Sequence, residues 1–320
     1  PSAGIINYLN RKFTADLQGR VGPNRAGAAG FLQPIADFLK SLQKTAELRP
    51  LTGWELVLFW IQSLALYATV AILPLGSMIL SLDTDMGVLI VFWTAFTLAL
   101  MSLFLGLERS SVPGWLSAVR VAVQAVTGAF PAVLALFCVG MEAKGLRWTQ
   151  ISDAQGAFPF SWMIFQNPFE WLAFFVFMVS GLILFSLAPM DTGLARADIL
   201  GGFSSSLYGR RLSLFNFGRF YGFFLWSVIA SVLFLGGWSI PQSLRQSLLD
   251  SGSSSGVFAL ELMVVIGKSY VLMLLVNLIV KANPKARVDQ ITDFSWRVLS
   301  PVALVATMGC ALWISGRLLL

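Results

Sequence analysis

Seven times along this 320-residue chain a mainly apolar run is long enough to cross a hydrocarbon core of roughly 30 Å as a helix. The runs are about Trp54–Leu75, Gly87–Leu107, Trp115–Gly140, Trp171–Leu187, Leu214–Gly236, Val257–Val280 and Val298–Ile314. In hydrocarbon every backbone N–H and C=O must be bonded within the protein, so runs of this length leave a helical bundle as the fold. Composition agrees: 57% of the residues are hydrophobic and 12% are charged, about half the charged fraction of a soluble domain. The predicted fold class is therefore all-α, a polytopic transmembrane helical bundle forming one membrane domain over residues 1–320. The third run encloses Arg120, Gln124 and Pro131, so a bend or break is expected there.

Before the first run the pattern is different. Residues 1–15 read as the tail of a first helix whose beginning lies outside this sequence, which brings the expected spans to eight. Residues 17–53 carry Arg20, Arg25, Lys40, Lys44 and Arg49. From Gly19 to Gly30 this stretch is dense in Gly and Pro and is predicted to be non-helical. From Phe31 onward, Phe31, Ile35, Phe38, Leu39 and Leu42 fall on one helical face, with Asp37, Lys40 and Lys44 on another. Too short and too charged to span, this second half is predicted to lie in the membrane interface plane.

Loop charge orients the bundle. The loops at 17–53, 109, 189–213 and 281–297 hold 13 basic residues, and the opposite loops hold only Lys144, Arg147, Arg245 and Arg317. The basic side is expected to be cytoplasmic, and the net charge of +6 reports orientation in a bilayer, not nucleic-acid binding. There is no histidine, and no CxxC, GxGxxG or P-loop pattern. The chain alone thus has no evident means of holding an iron–sulfur cluster, a nucleotide or a His-ligated haem. Cys138 and Cys310 lie in apolar runs and read as small buried hydrophobes.

Two segments carry a resemblance. LQGRVGPNRAGAAGFLQPIADFLK from Leu17 resembles the signature of the H subunit of NADH:quinone oxidoreductase, respiratory complex I, whose usual wording is close to LQxRxGPNRVGPxGLLQPIADxxK. RVDQITDFSWRVLSPVALV from Arg287 resembles a second family segment, and Arg120, Gln124, Lys268 and APMD at Ala188–Asp191 are weaker matches. The resemblance implies a non-redox membrane subunit of a multi-subunit oxidoreductase in a bacterial inner membrane or an equivalent energy-transducing membrane. It implies a quinone bound at an interface. It also implies soluble iron–sulfur and quinone-site subunits on the cytoplasmic side, with other membrane subunits beside it. The residues it assigns to the chamber and docking face are Arg20, Gly22, Pro23, Asn24, Arg25, Asp37, Asp198, Phe203, Arg287 and Asp289. The arginines could equally anchor the chain to anionic lipid, and Asp37 and Asp289 could simply be their structural partners.

Glu261, Lys268 and Asp191 are the candidate proton-linked groups, because intramembrane ionisable residues default to functional candidates. Phe203, Phe215, Phe217, Phe220 and Tyr221 form an aromatic group that reads as helix packing, with a quinone stack as the alternative. Against the family wording, seven acidic positions are lost: Asn10, Thr45, Ala129, Leu194, Arg196, Ser206 and Arg219 stand in their place. Arginine cannot give up its proton in a protein. Weakened or lost proton coupling is therefore expected, with Arg219 needing a partner such as Asp191 or Asp198. The alternative is a structural membrane anchor in a related oxidoreductase or hydrogenase assembly.

Overall fold

The structure, a computed structural model, describes residues 2–44, 53–74, 76, 87–108, 111–156, 161–192, 202–207, 209–250 and 254–319. Described residues form helices, turns and irregular segments, with no strand among them. In chain order the helices are α1 (Ser2–Leu17), α2 (Gln33–Gln43), α3 (Gly53–Ile72), α4 (Gly87–Glu108), α5 (Val112–Glu142), α6 (Trp148–Ala154) and α7 (Met163–Gln166). They continue with α8 (Pro168–Leu184), α9 (Gly209–Phe234), α10 (Gln242–Asp250), α11 (Ser254–Ala282), α12 (Val288–Phe294) and α13 (Ser300–Leu319). Each of the seven expected spans coincides with a helix. Among the described residues five helical segments have the length and apolarity to cross a membrane, and Phe96–Glu108 and Pro168–Leu184 are shorter apolar helices. The short helices α6, α7, α10 and α12 lie where the apolar pattern was read as loop.

α5 is the axis of the bundle, packed against α4, α8 and α13. Small residues set the spacing, as they do where lipid offers no hydrophobic drive to helix association. A Cβ on Gly106 would overlap Ala118, and one on Gly128 would overlap Ile183. The third span is not broken: α5 is a single helix from Val112 to Glu142 with Pro131 inside it. Proline removes the bond that residue 131 would give to the carbonyl of Thr127. That carbonyl instead accepts a hydrogen bond from Ser295 Oγ at 2.6 Å. A side chain 168 residues away thus satisfies the freed backbone group and keeps the helix whole.

Aromatic packing joins α8 to α9. Phe177 and Trp226 stack with centroids 4.1 Å apart, and Trp226 Nε1–H donates to the Phe177 carbonyl at 3.0 Å. The indole lies over Gly181, where any side chain would collide with it. α12 leads through a π-helical turn at Ser295–Leu299 into α13. The wider turn falls just before Pro301, which has no N–H to return to the carbonyl of Arg297.

Candidate functional site

At one end of the bundle α1, α2 and α9 surround a cavity of about 630 Å³. Ile5, Phe31, Ile35, Phe38, Phe217 and Phe220 give it apolar walls. Asn7, Asp37, Ser41, Lys44, Ser213 and Asn216 add a small polar set. A mainly apolar concavity with a few convergent polar groups is the usual form of a small-molecule site. α2 is the helix expected from residue 31 to 44, and Phe31 and Leu32 just before it are exposed with its Ile35 and Leu39. Pro34 at the start of α2 is tolerated because the first turn needs no N–H from it.

The loop between α1 and α2 is folded on itself, which explains its glycines. Gly30 has φ +80°, and a Cβ there would stand 2.7 Å from the Asn24 nitrogen and closer still to the Pro23 carbonyl. Gly27 has φ +75° and lies under Leu32. Gly22 backs onto Lys12 and Ala15 of α1, and Tyr8 donates to the Ala29 carbonyl at 2.9 Å. Arg11 donates to Asp37, clamping α1 to α2, and Gln33 Nε2 adds a second donor to the same carboxylate at 3.0 Å. Partial burial alone would raise the Asp37 carboxyl. The hydrogen bonds from Arg11 and Gln33 and the charges of Arg11 and Lys40 outweigh it and hold the group below its usual range.

A carboxylate depressed by folding contributes stability above its unfolded pKa of roughly 3.9 and loses it only as pH falls through the lower folded value. The α1–α2 clamp is therefore expected to hold unchanged at pH 5 and loosen only below about pH 4. D37N should loosen it at every pH. Distances between spin labels at Tyr8 and Ser41 check this, and a native clamp that opens at pH 5 would contradict it.

The described parts of the basic loops at 17–53, 189–213 and 281–297 meet at this end. Ala286 N–H donates to the Pro189 carbonyl at 3.0 Å, and Lys285 pairs with Asp191 at 3.5 Å. Gly209 backs onto the carbonyl of Lys44. Gln124 on α5 holds the 189–192 segment from within: its Nε2 donates to the carbonyls of Ile183 and Met190, and its Oε1 accepts from Thr192 Oγ1 at 2.8 Å. Ser117 Oγ accepts from the Phe203 N–H at 3.0 Å.

The sequence-predicted residues divide into groups. Asp37 lines the cavity. Arg20, Asn24 and Arg25 are on the exposed loop beside it, with Gly22 and Pro23 half-buried in its turn. Arg20 Nε donates to Gln18 at 2.9 Å. Arg287 and Asp289 are exposed at the start of α12, the Arg287 N–H donating to Gln290 Oε1 at 3.0 Å. Phe203 is buried against Phe215, edge to face at 5.4 Å, away from the large cavity. Asp198, with Leu194 and Arg196, lies outside the described residues. Glu261 is buried and pairs with Arg245 of α10 at 3.9 Å. Lys268 lies 4.3 Å over the Trp162 ring, and its Nζ donates to the carbonyls of Leu235 at 2.7 Å and Gly237 at 2.8 Å. The two do not meet.

Arg219 is held by backbone carbonyls, with the charge of Asp191, one of the acids expected, acting on it and Asp198 outside the described residues. Its guanidinium donates to the carbonyls of Phe185 and Ser186 at the end of α8, where the helix dipole presents negative ends to a cation. Of the aromatic group, Phe217 and Phe220 face the cavity, whereas Phe203 and Phe215 pack into the interior. Sequence reasoning missed Asn7, Ser213 and Asn216 in the lining, and the buried pair of Glu55 and Arg211 at 3.5 Å behind it. A polar residue within an apolar run, such as Asn216, was the available signal.

A family model described as NADH dehydrogenase matches residues 2–311. The H subunit of the NADH-quinone oxidoreductase of Chlorobaculum tepidum is 30% identical over 96% of this chain and 86% of its own length. The corresponding protein of Chlorobaculum parvum is 29% identical with the same coverage. In fold, the chain is similar to a chain in the structure of a membrane-bound sulfane sulfur reductase, an archaeal respiratory membrane complex. The TM-score is 0.79 at 21% identity, covering 96% of this chain and 94% of that one. With its apolar spans, its folded GPNR loop and a match over nearly its whole length, the chain belongs to the NADH dehydrogenase family of membrane proteins, the family of the H subunits of the NADH-quinone oxidoreductases.

Proposed function

We propose that this chain is the membrane subunit of a complex I-type NADH:quinone oxidoreductase in a bacterial inner membrane, and that the cavity between α1, α2 and α9 is its quinone chamber. The observation that carries this reading is the cavity itself. Its volume of about 630 Å³ suits a prenylated ring, and its walls are phenylalanine and isoleucine with neutral hydrogen-bonding groups among them. α2 lies at its edge with exposed apolar side chains, a surface along which an isoprenoid tail passes from lipid to chamber. The exposed Arg20 and Arg25, together with Arg287 and Asp289, form the cytoplasmic face on which soluble iron–sulfur and quinone-site subunits dock. Neighbouring membrane subunits and lipid cover the flanks. The chain itself holds no redox centre.

Proton transfer by the family's acidic route is weakened in this subunit. A relay needs groups that gain and lose protons. Arg219 is a fixed charge bound to backbone carbonyls. Ala129 is apolar where an acid is usual.

S213W puts an indole into the chamber from α9. In sealed vesicles holding the whole assembly it is expected to cut quinone reduction at least tenfold while electron transfer to a water-soluble acceptor continues. Protons moved per electron pair are expected to be independent of E261Q. Quinone turnover unchanged in S213W would refute the chamber, and a proton yield that collapses in E261Q would refute the loss of coupling.

A further inference from the structure

Opposite the chamber, at the far end of α5, three helices bring together polar groups that the quinone reading does not use. Glu142 closes α5, Glu170 lies in the first turn of α8, and Cys310 and Arg317 lie on α13. Glu170 is 0% exposed. Its Oε1 accepts only the weak Cys310 thiol at 3.8 Å, and its Oε2 is buried with no hydrogen-bond partner. Among the described residues it has no ion pair. Glu142 is paired with Arg317 at 2.9 Å, and its Oε2 is likewise buried without a partner. Arg317 also donates to the Gln166 carbonyl at 2.7 Å, which ties the pair to the end of α7, just before α8.

An independent observation points to what is bound. Asn167 is also 0% exposed. Its Oδ1 is fixed by accepting the Phe169 N–H at 3.0 Å, which caps α8 and leaves Nδ2 as a buried donor with no partner. This knot therefore has one orphan donor and two orphan carboxyl oxygens. A metal ion would leave the donor unsatisfied. A water and a proton satisfy all three: the water accepts from Asn167 Nδ2 and from a protonated Glu170 Oε2, and donates to Glu142 Oε2. Neutralising Glu170 also removes the cost of an unpaired buried carboxylate, whereas Glu142 keeps its charge beside Arg317.

We propose that Glu170, Asn167 and Glu142 form a proton- and water-binding site at the end of the bundle opposite the chamber, opening to the aqueous phase past the half-exposed Arg317. Among the described residues the titratable groups acting on Glu170 are Cys310 from α13 and Glu142 from α5; behind them Cys138 of α5 touches Cys310 and Arg317 of α13 pairs with Glu142. The site is 31 residues along α5 from the loops around the chamber and does not depend on a quinone being bound there.

Infrared spectra of the purified assembly in lipid nanodiscs at pH 7 test the proposal. The carbonyl stretch of an un-ionised carboxylic acid is expected in the parent and absent from E170Q, whose amide has the shape of the neutral acid and preserves packing. The band should shift in deuterium oxide and again in E142Q. If E142Q fails to assemble, Asn167→Ser keeps the cap oxygen, removes the amide donor and should give the same shift. A spectrum that E170Q leaves unchanged overturns the proposal, because Glu170 is then ionised. A band that responds neither to deuterium oxide nor to the neighbouring substitution also overturns it, because the acid is then a dry structural group.

Discussion

Alanine at Gly30 is expected to open the loop between α1 and α2 and to prevent assembly with the soluble subunits. The backbone at Gly30 has φ +80°, a conformation that costs a side-chain-bearing residue about 1–3 kcal/mol. The added Cβ also has no room, standing 2.7 Å from the Asn24 nitrogen, and overpacking of this kind costs about another 1–3 kcal/mol. The collision is with backbone, so no side-chain rotation relieves it, and the Pro23–Arg25 turn must move away. Limited trypsin digestion at Arg20 and Arg25 reads the opening, and recovery of the intact complex reads the consequence. Gly19 supplies the control. It also has positive φ, +63°, but nothing lies within 4 Å of its missing Cβ. G19A should therefore assemble nearly as the parent does. Equal behaviour of the two variants would mean that close packing of the loop is not what the glycines serve.

R211L is expected to destabilise the chamber wall, by up to about 3–5 kcal/mol, because it takes the nearest positive charge shown away from the buried Glu55 carboxylate. Arg211 and Glu55 are 3.5 Å apart, with 7% and 1% of their side chains exposed. They join the first turns of α9 and α3, next to Leu212 and Ser213 of the cavity lining. Replacing both, as R211L/E55L, should recover most of the loss, since the desolvation cost of two charges is removed with their attraction. Thermal unfolding of the chain in nanodiscs measures both effects. A single variant as stable as the parent would make the pair a bystander, and a double variant worse than the single would show coupling of another kind.

Whatever depended on local pattern was legible in the amino-acid sequence. Apolar run length gave the spans, because a bilayer of fixed thickness accepts only helices of matching length. The spacing of Phe31, Ile35, Phe38 and Leu39 gave an amphipathic helix, and α2 occupies that stretch. The density of Gly and Pro from Gly19 to Gly30 gave an irregular loop, because positive φ and close backbone approach need residues without a Cβ.

Tertiary structure decided what depends on contacts between distant residues. Pro131 should break a helix by itself, and only the Ser295 hydroxyl, 168 residues on, repairs the freed carbonyl. Arg219 demands a partner by its charge, but nothing local says that two carbonyls more than 30 residues earlier supply it. Five aromatics close in sequence look alike, yet Phe217 and Phe220 line a cavity while Phe203 and Phe215 pack on each other in the interior. Glu170 reads as an ordinary acid at a helix start until α5 and α13 close over it and leave, among the described residues, only a thiol donating to its carboxylate. Periodicity and run length are properties of neighbours along the chain, whereas the environment of a polar group in a bundle is set by whichever helices lie against it.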